Sequence, residues 1–231
     1  MSVGAAVKRR AGPLRGQQAR PLASWVLRTL LGFMAVLLPA VVWADTVAIA
    51  RVEALLNGTQ ALRATFTQEV HDANGSVTQS AAGTFWLQKP GRFRWDYSTP
   101  RQAIVSDGTR LWFYDADLEQ VTVRRQRDVL TQAPAMLLAG KGRVADGFEA
   151  ESLPPSAGLE WLRLTPRTGA GDFRELQLGF AGRDLRELIL LDRLGQRTLI
   201  HFSALQRNPV LPANTFRFQP PPGTDVVGEA P

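Results

Sequence analysis

From Leu62 onward the chain changes face at every residue. Leu62, Ala64, Phe66, Gln68 and Val70 alternate with Arg63, Thr65, Thr67 and Glu69, the period-two signature of a strand buried on one side. Asn74-Gly75 predicts a hairpin into a second strand, Val77 to Leu87. Pro90-Gly91, Thr99-Pro100 and Asp107-Gly108 then separate strands over Arg92–Tyr97, Gln102–Ser106 and Arg110–Tyr114, with another over Gln120–Arg124. Strands resume over Phe148–Leu153, Leu159–Thr165, Arg174–Phe180, Leu185–Leu191 and Arg197–Gln206, and a last one is expected at Phe216–Phe218 before a polar tail expected to fray. Before the strands, Ile49, Val52, Leu55 and Leu56 share one face of a helix predicted over Thr46–Leu56, capped by Asp45 and ended by Asn57-Gly58. A short helix is predicted over Pro134–Ala139; its Ala135, Met136, Leu137 and Leu138 are apolar all round, so it must be buried on more than one side. The expectation is a mainly β (α+β) fold: ten or eleven strands joined by hairpin-length turns, with little helix.

Aromatic residues crowd one part of this pattern. Phe85–Tyr114 holds three tryptophans, three phenylalanines and both tyrosines of the chain. Phe85 and Leu87 point to one face and Trp86 to the other; Phe93, Trp95 and Tyr97 share a face opposite Arg92, Arg94 and Asp96. Such a surface can be the core of a sandwich. It can also line a curved sheet that encloses a greasy ligand. The residues alone leave both open.

The first 44 residues read as an export signal. Lys8, Arg9, Arg10, Arg15, Arg20 and Arg28 occur without an acid, the apolar run Leu30–Trp43 follows, and Val42-Trp43-Ala44 offers a cleavage site before Asp45. The apolar run is broken by Gly32 and Pro39 and falls short of the ~18–20 residues of a spanning helix, which argues against an uncleaved anchor. A single domain over 45–231 is expected. Setting the signal aside changes the charge. The whole chain carries +6, but six of its 27 Lys and Arg lie in the signal, which leaves 21 against 21 acids. A neutral chain has no electrostatic reason to bind nucleic acid. It also lacks cysteine, so neither a disulfide framework nor a lipidated terminus is expected.

Chemistry is sparse. His71 and His201 lie on predicted strands without obvious partners, and no serine sits in a glycine-flanked elbow. Asp115, Asp117 and Glu119 read as a solvated hairpin tip rather than a calcium loop. No phosphate-cradling glycine loop occurs. Neither an enzyme nor a metal or cofactor is expected; a secreted esterase stands as the enzymatic rival.

Ala64–Gln68 (ATFTQ), Leu87–Tyr97 (LQKPGRFRWDY), Ile104–Tyr114 (IVSDGTRLWFY), Thr131–Leu138 (TQAPAMLL) and Phe216–Gly223 (FRFQPPPG) together resemble, in order and spacing, the LolA family of periplasmic lipoprotein carriers. The likeness runs from about Val47 to Val226, although Arg143–Arg186 matches only as strands. It implies a single incomplete, strongly curved antiparallel β-barrel of about 11 strands, with short helices lidding an apolar cavity. It also implies a monomeric carrier whose partners are acylated lipoproteins, an inner-membrane ABC-type exporter and an outer-membrane receptor. The expected acyl-chain cavity residues are Phe66, Phe85, Phe93, Trp95 and Trp112, and the expected lid is Met136, Leu137 and Leu138. Lys89 falls where family members carry an arginine that latches the lid, a role it would share with Arg92. The alternative on the same architecture is a periplasmic binder or sensor of another acylated ligand.

Overall fold

The computed structural model describes residues 40–126, 138–139, 143–168 and 173–228, which form one unit. Helix α1, Ala40–Asn57, is followed by β1 (Ala61–His71), β2 (Val77–Gln88), β3 (Arg92–Thr99), β4 (Gln102–Asp107), β5 (Arg110–Asp115) and β6 (Gln120–Arg125). A one-turn helix α2, Val144–Gly147, leads into β7 (Phe148–Ser156), β8 (Leu159–Pro166), β9 (Phe173–Ala181), β10 (Asp184–Asp192) and β11 (Arg197–Arg207), and β12 (Asp225–Gly228) ends the described chain.

All twelve strands belong to one sheet in the order β12-β6-β5-β4-β3-β2-β1-β11-β10-β9-β8-β7. Neighbours are hairpin partners except where β1 joins β11 and where β12 joins β6. The sheet curls: Phe93 of β3, Leu111 of β5, Leu164 of β8, Leu176 of β9 and Ala150 of β7 share one buried cluster with Val52 and Leu55 of α1. A flat sheet of this width could not bring its two halves into one core. Helix α1 packs over β7, and Arg51 bonds Glu160 of β8.

The tight turns follow the sequence. Asp72 Oδ1 accepts the Asn74 and Ser76 N–H groups at 2.9 Å each, and Asp107 Oδ1 accepts those of Thr109 and Arg110 at 2.7 and 2.8 Å. Each aspartate thereby stands in for a backbone carbonyl and closes its hairpin.

Four expectations need correction. Helix α1 begins at Ala40 rather than Thr46 and runs through Val42-Trp43-Ala44, because the apolar run Ala40–Ala44 contains no glycine or proline to stop it. Phe216–Phe218 is not a strand: the chain turns there, with Thr215 N–H on Pro212 O and Arg217 N–H on Asn214 O at 3.0 Å each. The tail expected to fray instead supplies β12, which runs parallel to β6 with Val226 opposite Val121, so the sheet is not wholly antiparallel. Pro154-Pro155, beyond the strand end expected at Leu153, lies inside β7. That strand forms an edge, where proline's missing N–H costs no ladder bond. Of the helix expected at Pro134–Ala139, residues 134–137 lie outside the described residues.

Candidate functional site

Register lays the concave face out in rows. Leu62 pairs with Leu87 and Leu87 with Phe93; Ala64 pairs with Phe85 and Phe85 with Trp95; Phe66 pairs with Gly83 and Gly83 with Tyr97. The second and third rows fuse into an aromatic cluster. Trp95 stands edge-on to Phe66 with ring centroids 4.7 Å apart and lies 4.3 Å from Phe85 and 5.9 Å from Phe202 of β11, while Phe66 meets Tyr97 at 5.1 Å. Gly83 makes this possible. A Cβ there would stand 1.9 Å from Asp96 O and 2.9 Å from Phe66 Cε1, so only glycine lets the Phe66 ring lie across the strand. At this end the rings pack against one another.

The first row borders open space. A cleft of about 400 Å³, open to solvent, lies between the end of α1, β1–β2 and β9–β11. Leu55 and Leu56 of α1, Leu62, Leu87 and Leu138 form one side. Phe180, Leu185 and Leu205 form the other, with Arg183 and Arg207 at the rim. The cleft is therefore apolar in its walls and cationic at its mouth.

Polar contacts hold these walls in place. Lys89 Nζ donates to Leu56 O at 2.6 Å, which ties the end of α1 to the β2–β3 turn. A cation on a helix's last carbonyls also meets the negative end of the helix dipole. Burial of the Lys89 ammonium pushes its pKa below the ordinary lysine value. In the same turn Gly91 N–H donates to Ala139 O at 2.9 Å, next to Leu138 in the cleft wall. Gly91 O in turn accepts from Ser106 Oγ at 3.2 Å and from Gln126 Nε2, which also reaches Ser106 Oγ at 2.9 Å. Ser106 and Gln126 are fully buried, so this hub joins the β2–β3 turn, the β4–β5 hairpin and the end of β6 without solvent.

Phe66, Phe85, Phe93 and Trp95 come together on the concave face, all buried. Trp112 does not. It belongs to a second cluster on the opposite face with Val105, Val121 and Val123, where Phe218 covers it at 6.3 Å. The inward residues of β5 are Leu111 and Phe113. The run Leu111–Tyr114 is apolar throughout, so alternation could not orient it. Leu138 is buried in the cleft wall, whereas Met136 and Leu137 lie outside the described residues. Lys89 bonds α1, while the bond to Ala139 comes from Gly91. Arg92 is exposed and faces away from the interior.

The rest of the candidate chemistry is structural. His71 Nε2 contacts Glu69 at 3.1 Å and His201 Nδ1 contacts Glu187 at 2.7 Å, both on the surface. Asp115 closes its own turn on the Asp117 and Leu118 N–H groups. Among the described residues no cluster of His, Cys, Asp or Glu could hold a metal, and no helix is long and apolar enough to cross a membrane. Sequence reasoning missed Ser106, Gln126 and the leucine wall across β9–β11; only the apolar inward positions of those strands carried a signal.

A curled sheet with an apolar concave face, bordered by a leucine-walled cleft, fits a binder of apolar ligands. The chain belongs to the LolA family: the family model described as "Outer membrane lipoprotein carrier protein LolA" matches residues 57–219. An outer-membrane lipoprotein carrier protein of Dechloromonas aromatica is 40% identical over 183 residues, 79% of this chain and 88% of that protein. Those of Methylococcus capsulatus and Methylobacillus flagellatus are 40% and 41% identical over 197 residues each, 83% and 85% of this chain and 95% of theirs.

Proposed function

We propose that the protein carries acylated lipoproteins across the periplasm, sheltering their acyl chains in the cleft and the interior behind it. On this reading residues 1–44 direct export, an inner-membrane ABC-type exporter loads the carrier and an outer-membrane receptor unloads it. The carrier acts as a monomer without catalysis. Each exposed methylene costs about 0.8 kcal/mol in water, so an acylated cargo needs a host to leave the membrane. The observation that carries the reading is the leucine-lined cleft beside the apolar concave face of the sheet. Its walls are held by two bonds in which no ring of the aromatic cluster takes part, Lys89 to Leu56 and Gly91 to Ala139. Leu138, joined by Met136 and Leu137, would withdraw as cargo enters.

The test is uptake of labelled lipoprotein from exporter-containing membrane vesicles into the soluble fraction. Phe93→Glu is unsuitable, since Phe93 is fully buried and a carboxylate there would unfold the core. Leu205→Glu suits better: Leu205 lines the cleft but is half-buried, so the carboxylate can reach water. The expected result is a soluble carrier with wild-type thermal stability and at least tenfold less uptake, roughly what one charge in an apolar site costs. Wild-type uptake by this variant would refute the site.

A further inference from the structure

Residues 45–231 carry 21 basic and 21 acidic side chains, yet that balanced charge is not evenly spread. The positions that alternate with the inward Leu62, Leu87, Phe93 and Leu111 face outward. On this outer face Arg63 lies opposite Trp86, and Trp86 opposite Arg94. One row further, Arg92 lies opposite Asp107, and Arg110 opposite Arg125. Arg217 joins them from the segment that returns over the face, next to the Phe218 that covers Trp112. The outward acids of β2–β6 are Asp96 and Asp107. Asp96 pairs with Arg94 at 2.8 Å, and Asp107 closes its own turn. Six arginines against two carboxylates leave an excess of four positive charges. Arg63 and Arg92 are exposed, and among the described residues neither forms an ion pair.

Two apolar groups stand among these cations. Trp86 is half-buried between Arg63 and Arg94. Val210 is wholly exposed. It follows Pro209 in the returning segment, between two anchors: Asn208 on the Gln60 and Ala61 N–H groups, and Thr215 O, which accepts from Arg94 at 3.4 Å. Pro209 and Pro212 fix φ on both sides of it. An acidic protein surface would satisfy the arginines alone. A bilayer with anionic headgroups satisfies the arginines and also removes the valine from water. We propose that this outer face docks on an anionic phospholipid surface, its arginines on headgroup phosphates, Trp86 at headgroup depth and Val210 inserted beneath. A planar guanidinium matches a phosphate with two parallel hydrogen bonds, and tryptophan favours the membrane–water interface. Arg63 and Trp86 are the chain neighbours of Leu62 and Leu87, which line the cleft, so the docked face is the back of the cleft wall. The inference does not depend on what the cleft holds.

The experiment is flotation of the exported protein, recovered from the periplasm, with two kinds of vesicle at low ionic strength. One kind is phosphatidylcholine alone; the other is phosphatidylcholine and phosphatidylglycerol in equal parts. The protein is expected to bind the anionic vesicles at least about tenfold more strongly, and high salt should remove the difference. Arg63→Gln combined with Arg92→Gln should weaken anionic binding by about 25-fold, roughly fivefold for each cation near a charged surface. Val210→Ser should weaken it by about fivefold, the worth of part of a valine's burial. All three residues are exposed, so unchanged unfolding midpoints are expected and confirm that the variants are folded. Equal binding to the two kinds of vesicle, no binding to the anionic ones, or full binding by either variant overturns the proposal. Retention on immobilised polyglutamate without vesicle binding assigns the face to an acidic protein and overturns it too. Flotation does not read lipoprotein uptake, so this proposal and the carrier reading stand or fall separately.

Discussion

Tyr97 offers a direct test of whether the aromatic end of the interior is closed. Its hydroxyl donates to Gln68 Oε1 at 3.3 Å, and burial pushes its pKa from 10.0 up to about 12. The folded protein therefore keeps the phenol neutral where the unfolded chain would ionise it. This contribution is fully present below pH 10 and is lost as pH rises from 10 toward 12. At about 1.4 kcal/mol per pH unit the whole effect is about 3 kcal/mol, of which about 2 is gone at about pH 11.5. Tyr97→Phe removes the titrating group. At about pH 8 it should cost roughly 0.5–1 kcal/mol, the worth of one long hydrogen bond; at about pH 11.5 the order should invert, with the phenylalanine variant more stable by about 1 kcal/mol. Urea unfolding of both proteins at the two pH values measures this directly. Parallel pH dependence in the two proteins would refute the argument, because a tyrosine in a water-filled trough would ionise as readily folded as unfolded.

Three other perturbations probe separate parts of the structure. Gly83→Ala puts a methyl 1.9 Å from Asp96 O; backbone must move, and a loss of about 3 kcal/mol in urea stability is expected, with weakened near-ultraviolet dichroism from the aromatic cluster. Lys89→Met should lower stability by about 1 kcal/mol at neutral pH and speed amide exchange in the last turn of α1. Because the folded-state pKa of Lys89 is lowered from 10.5, the unfolded chain binds more protons just below that pH, so wild-type stability should gain there with rising pH and the variant should lack the gain. Phe218→Ala uncovers Trp112 and Tyr114 on the outer face; a loss of about 1–2 kcal/mol, less than for a fully buried ring, is expected with lipoprotein uptake unchanged.

Where polar and apolar residues alternate, sequence was enough to assign both strand and face. Phe85, Phe93 and Trp95 are each flanked by polar or outward partners, and all three point inward. Leu111–Tyr114 defeated the same logic because neither set of alternate positions is polar: an inner and an outer apolar face share one strand. The outer face exists because Phe218 returns over it from the end of the chain, a long-range packing that no local period announces. The cleft was legible only in part. Its leucines lie on strands whose inward faces are uniformly apolar, and nothing local distinguishes a leucine that packs from one that borders a void. Asn208 is a similar case: Oδ1 accepts the N–H groups of Gln60 and Ala61 at 2.8 and 3.1 Å, a brace between residues almost 150 positions apart in sequence.

Leu62 lies opposite Arg207, and β1 has β2 on one side and β11 on the other. The central seam of the sheet therefore cannot form until nearly the whole polypeptide is available, and the loop it closes is long. Closure of so distant a contact is slow compared with hairpin formation. A chain emerging N-terminus first can build its hairpins early, yet it stays unzipped along its middle until the last strands arrive.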